Sequence, residues 1–288
     1  MNSKIKGRIL VFMAVLSFST TGLFIKILTL SGMGIVGIRC LLAMLVHIVY
    51  MAVRGRKPVF NLPTIAGAVC IALDLSLYTI SAKLTAATNA VVLENTAPVF
   101  VILIMLICFG VRPTKKDLAV MAGVFAGILI YFVDGLSAGN LAGNMIAVCS
   151  GFFYAVMIMM SRIKGCDTPS AYIYGFAMAA AAGLPASVSG LSECEPTGAL
   201  IFALLFIGIV QGGLAYVFLD AGTKLIPPFE ASLICALDPI LNSTLVMAFA
   251  GERLTPLSAI GAVTVLLFIL WYTDVIGSRR GAGSVTDK

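Results

Sequence analysis

Charge-poor apolar runs of about 20 residues follow one another almost from end to end of this 288-residue chain, and no other feature restricts its fold as tightly. A helix of that length crosses roughly 30 Å of hydrocarbon while satisfying its own backbone hydrogen bonds, which lipid cannot do for it. The runs predict helices near 7–28, 33–53, 63–82, 86–110, 117–134, 142–161, 170–189, 199–222, 228–250 and 256–276. They are continuously apolar, whereas strands of a membrane barrel alternate. The expected class is therefore an all-α membrane protein with ten transmembrane helices. Hydrophobic residues make up 60% of the chain and charged ones 11%, against about 45–50% and about 25% in soluble domains. Short connections such as "RGRKP" (54–58) and "LIPP" (225–228) leave no room for a soluble domain. The first span is too long for a signal peptide and has no small-residue cleavage pattern, so it is read as retained.

Basic residues orient the spans. With the N-terminus cytoplasmic, the inner segments hold Lys4, Lys6, Arg8, Arg54, Arg56, Lys57, Arg112, Lys115, Lys116, Arg162, Lys164, Lys224, Arg279, Arg280 and Lys288. Lys26, Lys83 and Arg253 fall outside, and Arg39 falls within a span. The expectation is a multi-pass protein of the cytoplasmic (inner) membrane with both termini cytoplasmic. Positive charge spread thinly over short loops is a topology signal rather than a phosphate-binding patch, so no nucleic-acid partner is expected.

The chain also resembles itself. A shift of 136 places Gly7 on Gly143, Phe18 on Tyr154 and Lys26 on Arg162. A shift of 141 places Ala90 on Ala231, Pro98 on Pro239, Gly110 on Gly251, Arg112 on Arg253 and Thr114 on Thr255. This predicts a five-helix repeat over 1–136, a second over 140–277 and a cytoplasmic tail over 278–288. Five spans is an odd number, so the second copy enters the membrane from the opposite side, as in the inverted repeats of many secondary transporters.

Several stretches carry a family resemblance: "VLSFSTTGLFIK" in the first span, "GIRCLLAMLV" around Arg39, "NTAPVFVILI" in the fourth, its counterpart "LDPILNSTLV" (237–246), and "GERLTP" (251–256). In this arrangement the chain resembles the EamA-like family of the drug/metabolite transporter superfamily over nearly its whole length. Phe18 and Tyr154 stand where that family often has tryptophan, and "GVRPT" stands where it usually has Gly-Glu-Arg. The resemblance implies export or exchange of small metabolites by alternating access, often coupled to protons or a counter-solute.

An ionisable side chain in hydrocarbon costs about 2.5–3.5 kcal/mol on insertion scales, so it persists where it faces a cavity or a partner. Asp74, Glu94 and Asp238 lie midspan in the third, fourth and ninth helices, against one base, Arg39, in the second. A proton or a visiting cation must supply the missing positive charge. Glu94 sits one turn before Pro98, and Asp238 immediately precedes Pro239. Each proline removes an amide donor, and broken helices at corresponding positions of two halves point to a midplane site. Glu94, with Asn95 beside it, and Asp238 are the expected coupling and substrate-charge centre. Asp74 and Arg39 are expected to form a structural pair between neighbouring helices, the alternative being Arg39 as anchor for a substrate carboxylate.

Phe18, Ser19 and Thr21, Tyr78, Tyr154, Tyr174, Gln211 and Tyr216, and Asn242 are expected to complete the cavity wall. Lys26 and Arg162 are expected to snorkel to the interface, Asp220 and Glu230 to face water, the alternative being that they gate the cytoplasmic side, and Trp271 and Tyr272 to join an aromatic belt. His47, the single histidine, is read as packed. The seven cysteines contain no CxxC and outline neither a disulfide framework nor a metal cluster, so neither cofactor nor metal is expected.

One histidine cannot make an HExxH metalloprotease, no Gly-x-Ser-x-Gly elbow stands out, since "GLSAG" (135–139) falls in the connection between two spans, and midspan acids occurring singly do not form a magnesium-diphosphate site. These points argue against a multipass enzyme, and the proline-broken helices argue against a receptor without transport. Among substrates, an organic cation or amine comes first because of the acidic excess, and an amino acid or other zwitterion second because of Arg39. Expected partners are this small molecule, the lipid bilayer, and protons or a counter-solute, with the chain a monomer or homodimer.

Overall fold

The computed structural model describes residues 2–20, 24, 28, 30–85, 87–133, 140–195, 197–250 and 255–279. Thr21, Lys26, Arg253, most of "GERLTP", the 134–139 connection and most of the tail lie outside the described residues, as does the side chain of Lys83. Among the described residues every regular element is helical: α1 (Ser3–Phe18), α2 (Gly32–Val53), α3 (Leu62–Leu84), α4 (Ala87–Glu94), α5 (Ala97–Phe109), α6 (Lys115–Phe132), α7 (Leu141–Met159), α8 (Thr168–Ser192), α9 (Gly198–Leu205), α10 (Ala215–Thr223), α11 (Pro228–Cys235), α12 (Asp238–Ala250) and α13 (Pro256–Arg279). A π-helical stretch, Phe206–Leu214, joins α9 to α10.

Local chemistry sets the ends. Ser31 and Asn61 accept from the amides of Gly34 and Thr64 at 3.1 and 2.9 Å, Thr114 and Asp117 cap each other reciprocally at the start of α6, and Gly110 ends α5 in the left-handed region at φ 65°. The first helix begins at Ser3, earlier than its apolar run, because Asn2 caps it.

Outward faces carry large apolar residues, Ile107 at 77% and Leu267 at 60% exposure among them, while Asn89, Ser150, Gln211 and Glu230 are buried. Water would not tolerate so much exposed apolar surface; lipid would. Seven stretches among the described residues are long and apolar enough to cross a membrane: 32–53, 62–82, 89–109, 141–162, 168–192, 198–223 and 256–273. The α1, α6 and α11–α12 segments fall short of that measure.

The packing is two-fold. Helix α2 crosses α8, α6 crosses α13, α1 lies on α10 and α3 on α7. Exchanging first-half helices for their second-half counterparts turns the α1–α10 contact into the α7–α3 contact and leaves the other two crossings unchanged. The crossings need bare backbone. A Cβ on Gly183 would stand 2.5 Å from the amide nitrogen of Gly37, and one on Gly261 2.4 Å from that of Tyr131.

Candidate functional site

Both proline-containing segments break after eight helical residues, with thirteen more beyond the turn. The first halts at Glu94, turns through Asn95–Thr96 and resumes at Ala97; the second halts at Cys235, turns through Ala236–Leu237 and resumes at Asp238. Pro98 and Pro239 each stand second in the resuming helix, where a missing N–H is tolerated. Neither proline can donate to the carbonyl four residues before it, that of Glu94 or of Cys235. Asn95 and Thr96 hold the first break by bonding back to the carbonyls of Val91 and Leu93 at 2.9 and 2.7 Å. Gly151 lets α7 pack on it, since a Cβ there would meet Glu94 O at 2.6 Å.

Around these breaks lies a cavity of about 90 Å³, lined by Phe18, Arg39, Asp74, Leu75, Tyr78, Glu94, Asn95, Tyr154, Tyr216, Cys235, Asp238 and Asn242. Asp74 lies about 18 Å along α3, and Asp238 about 15 Å beyond the start of α11, so both fall near mid-depth of a roughly 30 Å core. The cavity draws on both halves and holds three carboxyl groups and one guanidinium. Among the described residues Asp74 Oδ1 is buried without a hydrogen-bond partner, and Ser19 Oγ donates to Asp238 Oδ1 at 3.0 Å. Phe18 packs edge-on against Tyr216 at 4.9 Å, and Tyr172 and Phe176 back that ring. The π-helical stretch positions Arg39: Gly208, Gly212 and Gly213 let it lie against Leu42, Ala43 and Val46 of α2, with Arg39 Cγ beside Gly212.

Several sequence expectations need correction. Gln211 does not line the cavity; it is fully buried and donates to Ser17 O at 3.3 Å and Thr20 Oγ1 at 3.2 Å, bracing the end of α1. Tyr174 packs against Phe60 instead. Arg39 and Asp74 line one cavity, but among the described residues no ion pair joins them. Asp220 and Glu230 do not face water: Asp220 is buried against Lys224 Nζ at 2.5 Å and Glu230 against Arg8 Nε at 2.6 Å. Arg162 donates to the carbonyl of Ile226 at 3.0 Å, which closes the α10–α11 turn. His47 is packed, as expected, between Ala43 O and the rings of Tyr172 and Phe176. Sequence reasoning overlooked Leu75 and Cys235; the signal for Cys235 was its place one turn before Asp238 and in register with Glu94.

The comparisons with known proteins agree with this architecture. The profile of the EamA-like transporter family matches residues 5–133 and again 141–273. The chain belongs to the EamA-like transporter family. Membership places it among multi-pass membrane transporters rather than enzymes, in two family repeats. An uncharacterized transporter of Archaeoglobus fulgidus is 25% identical over 203 residues, which is 69% of this chain and 64% of the relative. The match thus spans a little under two thirds of that relative's length. A crystal structure shares the fold with a TM-score of 0.79 at 17% identity, covering 94% of this chain and 98% of that one.

Proposed function

We propose that this EamA-like protein is a secondary transporter that moves a small organic metabolite across the cytoplasmic membrane by alternating access, with an organic cation or amine as its preferred substrate class. One observation carries the reading: Asp74, Glu94 and Asp238 share a mid-depth cavity between the halves with a single base among the described residues, Arg39. The excess negative charge calls for a proton or a cationic substrate, and exchange of the two is a coupling mechanism in itself. Phe18, Tyr154 and Tyr216 supply ring faces for an ammonium. The cavity volume is well below the few hundred Å³ of a drug-sized site. It fits an occluded state whose halves part to load substrate.

Ten membrane crossings, two inverted five-helix repeats and cytoplasmic termini complete the reading. The two-fold packing and the family's two matched repeats support it. A zwitterion such as an amino acid is the second reading, favoured by Arg39 standing in the same cavity without an ion pair to Asp74. The test is uptake of radiolabelled amines and amino acids into proteoliposomes at acid and neutral pH. Amine uptake that a pH gradient drives supports the first reading, and amino-acid uptake lost in Arg39→Gln supports the second. Binding without flux would turn the protein into a receptor.

A further inference from the structure

The two-fold relation also pairs two clusters that lie at opposite ends of the molecule, away from the cavity. Gly7 packs on Leu225 and Ile226 so closely that a Cβ would stand 2.8 Å from Leu225 Cβ and from Ile226 Cγ2. Gly143 packs on Leu84 and Thr85, where a Cβ would stand 2.9 Å from each Cβ. Shifts of 136 and 141 carry the first contact onto the second. The same shifts carry Arg8 onto Asn144 and Glu230 onto Asn89.

The geometry repeats while the chemistry does not. Arg8 Nε donates to Glu230 Oε1 at 2.6 Å and Arg8 Nη2 to Thr273 O at 2.9 Å, with Glu230 fully buried. At the other end, Asn144 Oδ1 accepts from Thr85 Oγ1 at 2.7 Å and from Asn89 Nδ2 at 3.4 Å. Each cluster ties one half to the other: α1 to α11 at the N-terminal end, α7 to α3 and α4 at the opposite end. Whichever end opens, its cluster must part.

We propose that these clusters are the two gates of the transport cycle, an ionic gate of Arg8 and Glu230 and an amide gate of Asn144, Asn89 and Thr85, and that their inequality makes the amide gate the easier to open. Parting Arg8 from Glu230 breaks a charge-assisted hydrogen bond, which is worth more than a neutral one even when water takes its place. Parting neutral amides exchanges one hydrogen bond for another with water at small net cost. The resting protein therefore opens more often toward the amide face. The inference rests on alternating access, but its readout needs no transported substrate.

Cys235 lines the cavity between the gates and serves as reporter. In full-length protein in proteoliposomes, with the other six cysteines replaced by serine or alanine, a small membrane-impermeant methanethiosulfonate is applied from either face. Faster modification from the amide-gate face is expected. Combining Arg8→Asn with Glu230→Asn should shift the ratio of the two rates about tenfold or more toward the other face, and combining Asn144→Arg with Asn89→Glu should slow modification from the amide-gate face. An unchanged ratio in the first double variant, at wild-type melting temperature, overturns the proposal. So do equal rates from both faces in the parent, or no reaction from either face in any variant. If the first double variant does not fold, the second decides alone, and an unchanged ratio there overturns the proposal too. A shifted ratio without amine flux would leave the gates standing and remove the substrate reading.

Discussion

The broken span of the first half and that of the second coincide residue for residue: Asn95–Thr96 falls on Ala236–Leu237 and Pro98 on Pro239. The carboxylates do not coincide. Glu94 falls on Cys235, and Asp238 on Ala97. Glu94 is the last residue of α4, at a carbonyl end that favours a cation, while Asp238 is the first of α12, at an amide end that favours an anion. The shared break loosens the backbone in both halves, and the single acids make the two sides of the cavity chemically unlike. The gates at the two ends repeat the pattern, a common backbone contact dressed with an ion pair on one side and amides on the other.

The strongest way to break this comparison is to mirror it. Glu94→Gln should lower amine flux roughly 100-fold or more, the scale of losing one member of a buried charged contact. Moving the acid across, with Glu94→Cys and Cys235→Glu together, should return at least about a tenth of wild-type flux. A folded mirror variant no better than Glu94→Gln would mean that the two breaks do not present side chains to the same space.

Next come the end clusters, read by thermal unfolding in detergent. Glu230→Gln should cost about 3 kcal/mol, since it leaves Arg8 facing an amide in a buried site. Asn89→Ala should cost only about 1 kcal/mol, the scale of a neutral hydrogen bond. Equal costs would erase the asymmetry between the ends.

The helix crossings should respond alike. Gly183→Ala and Gly261→Ala each push a methyl into opposing backbone and should each cost about 1–3 kcal/mol. A large loss at one and none at the other would mean that the two-fold packing is looser than the contacts indicate. The smallest effect belongs to Gln211→Met, which removes the brace on α1 but leaves the cavity wall intact. It should cost about 1 kcal/mol and spare flux.

The sequence made much of this legible for local reasons. Apolar runs set the helices, and Pro98 and Pro239 marked both breaks because proline acts on its own backbone. The residues now gathered round the cavity were nearly all named from the cost of placing them in lipid. Long-range partners were not legible. Glu230 read as water-facing because nothing near it in sequence announces Arg8, 222 positions away; the partner of Asp220 is local, Lys224 one turn on, but its burial is set by helices remote in sequence. Gln211 looked like a cavity residue because its carbonyl partner on α1 is equally remote. The expected Arg39–Asp74 pair came from counting charges without distances. The π-helical stretch had only Gly208, Gly212 and Gly213 to hint at it, and glycines in a membrane helix more often mark close packing.

The most direct test of the central claim is proton movement, read by a pH-sensitive dye trapped in proteoliposomes, when a permanently charged organic ammonium is added to wild type and to the Glu94→Gln/Asp238→Asn double variant. Wild type should give a dye response whose size follows the ammonium gradient, and the double variant should give none while keeping its melting temperature. An undiminished response from the folded double variant would contradict a substrate site built on carboxylates between two opposed halves.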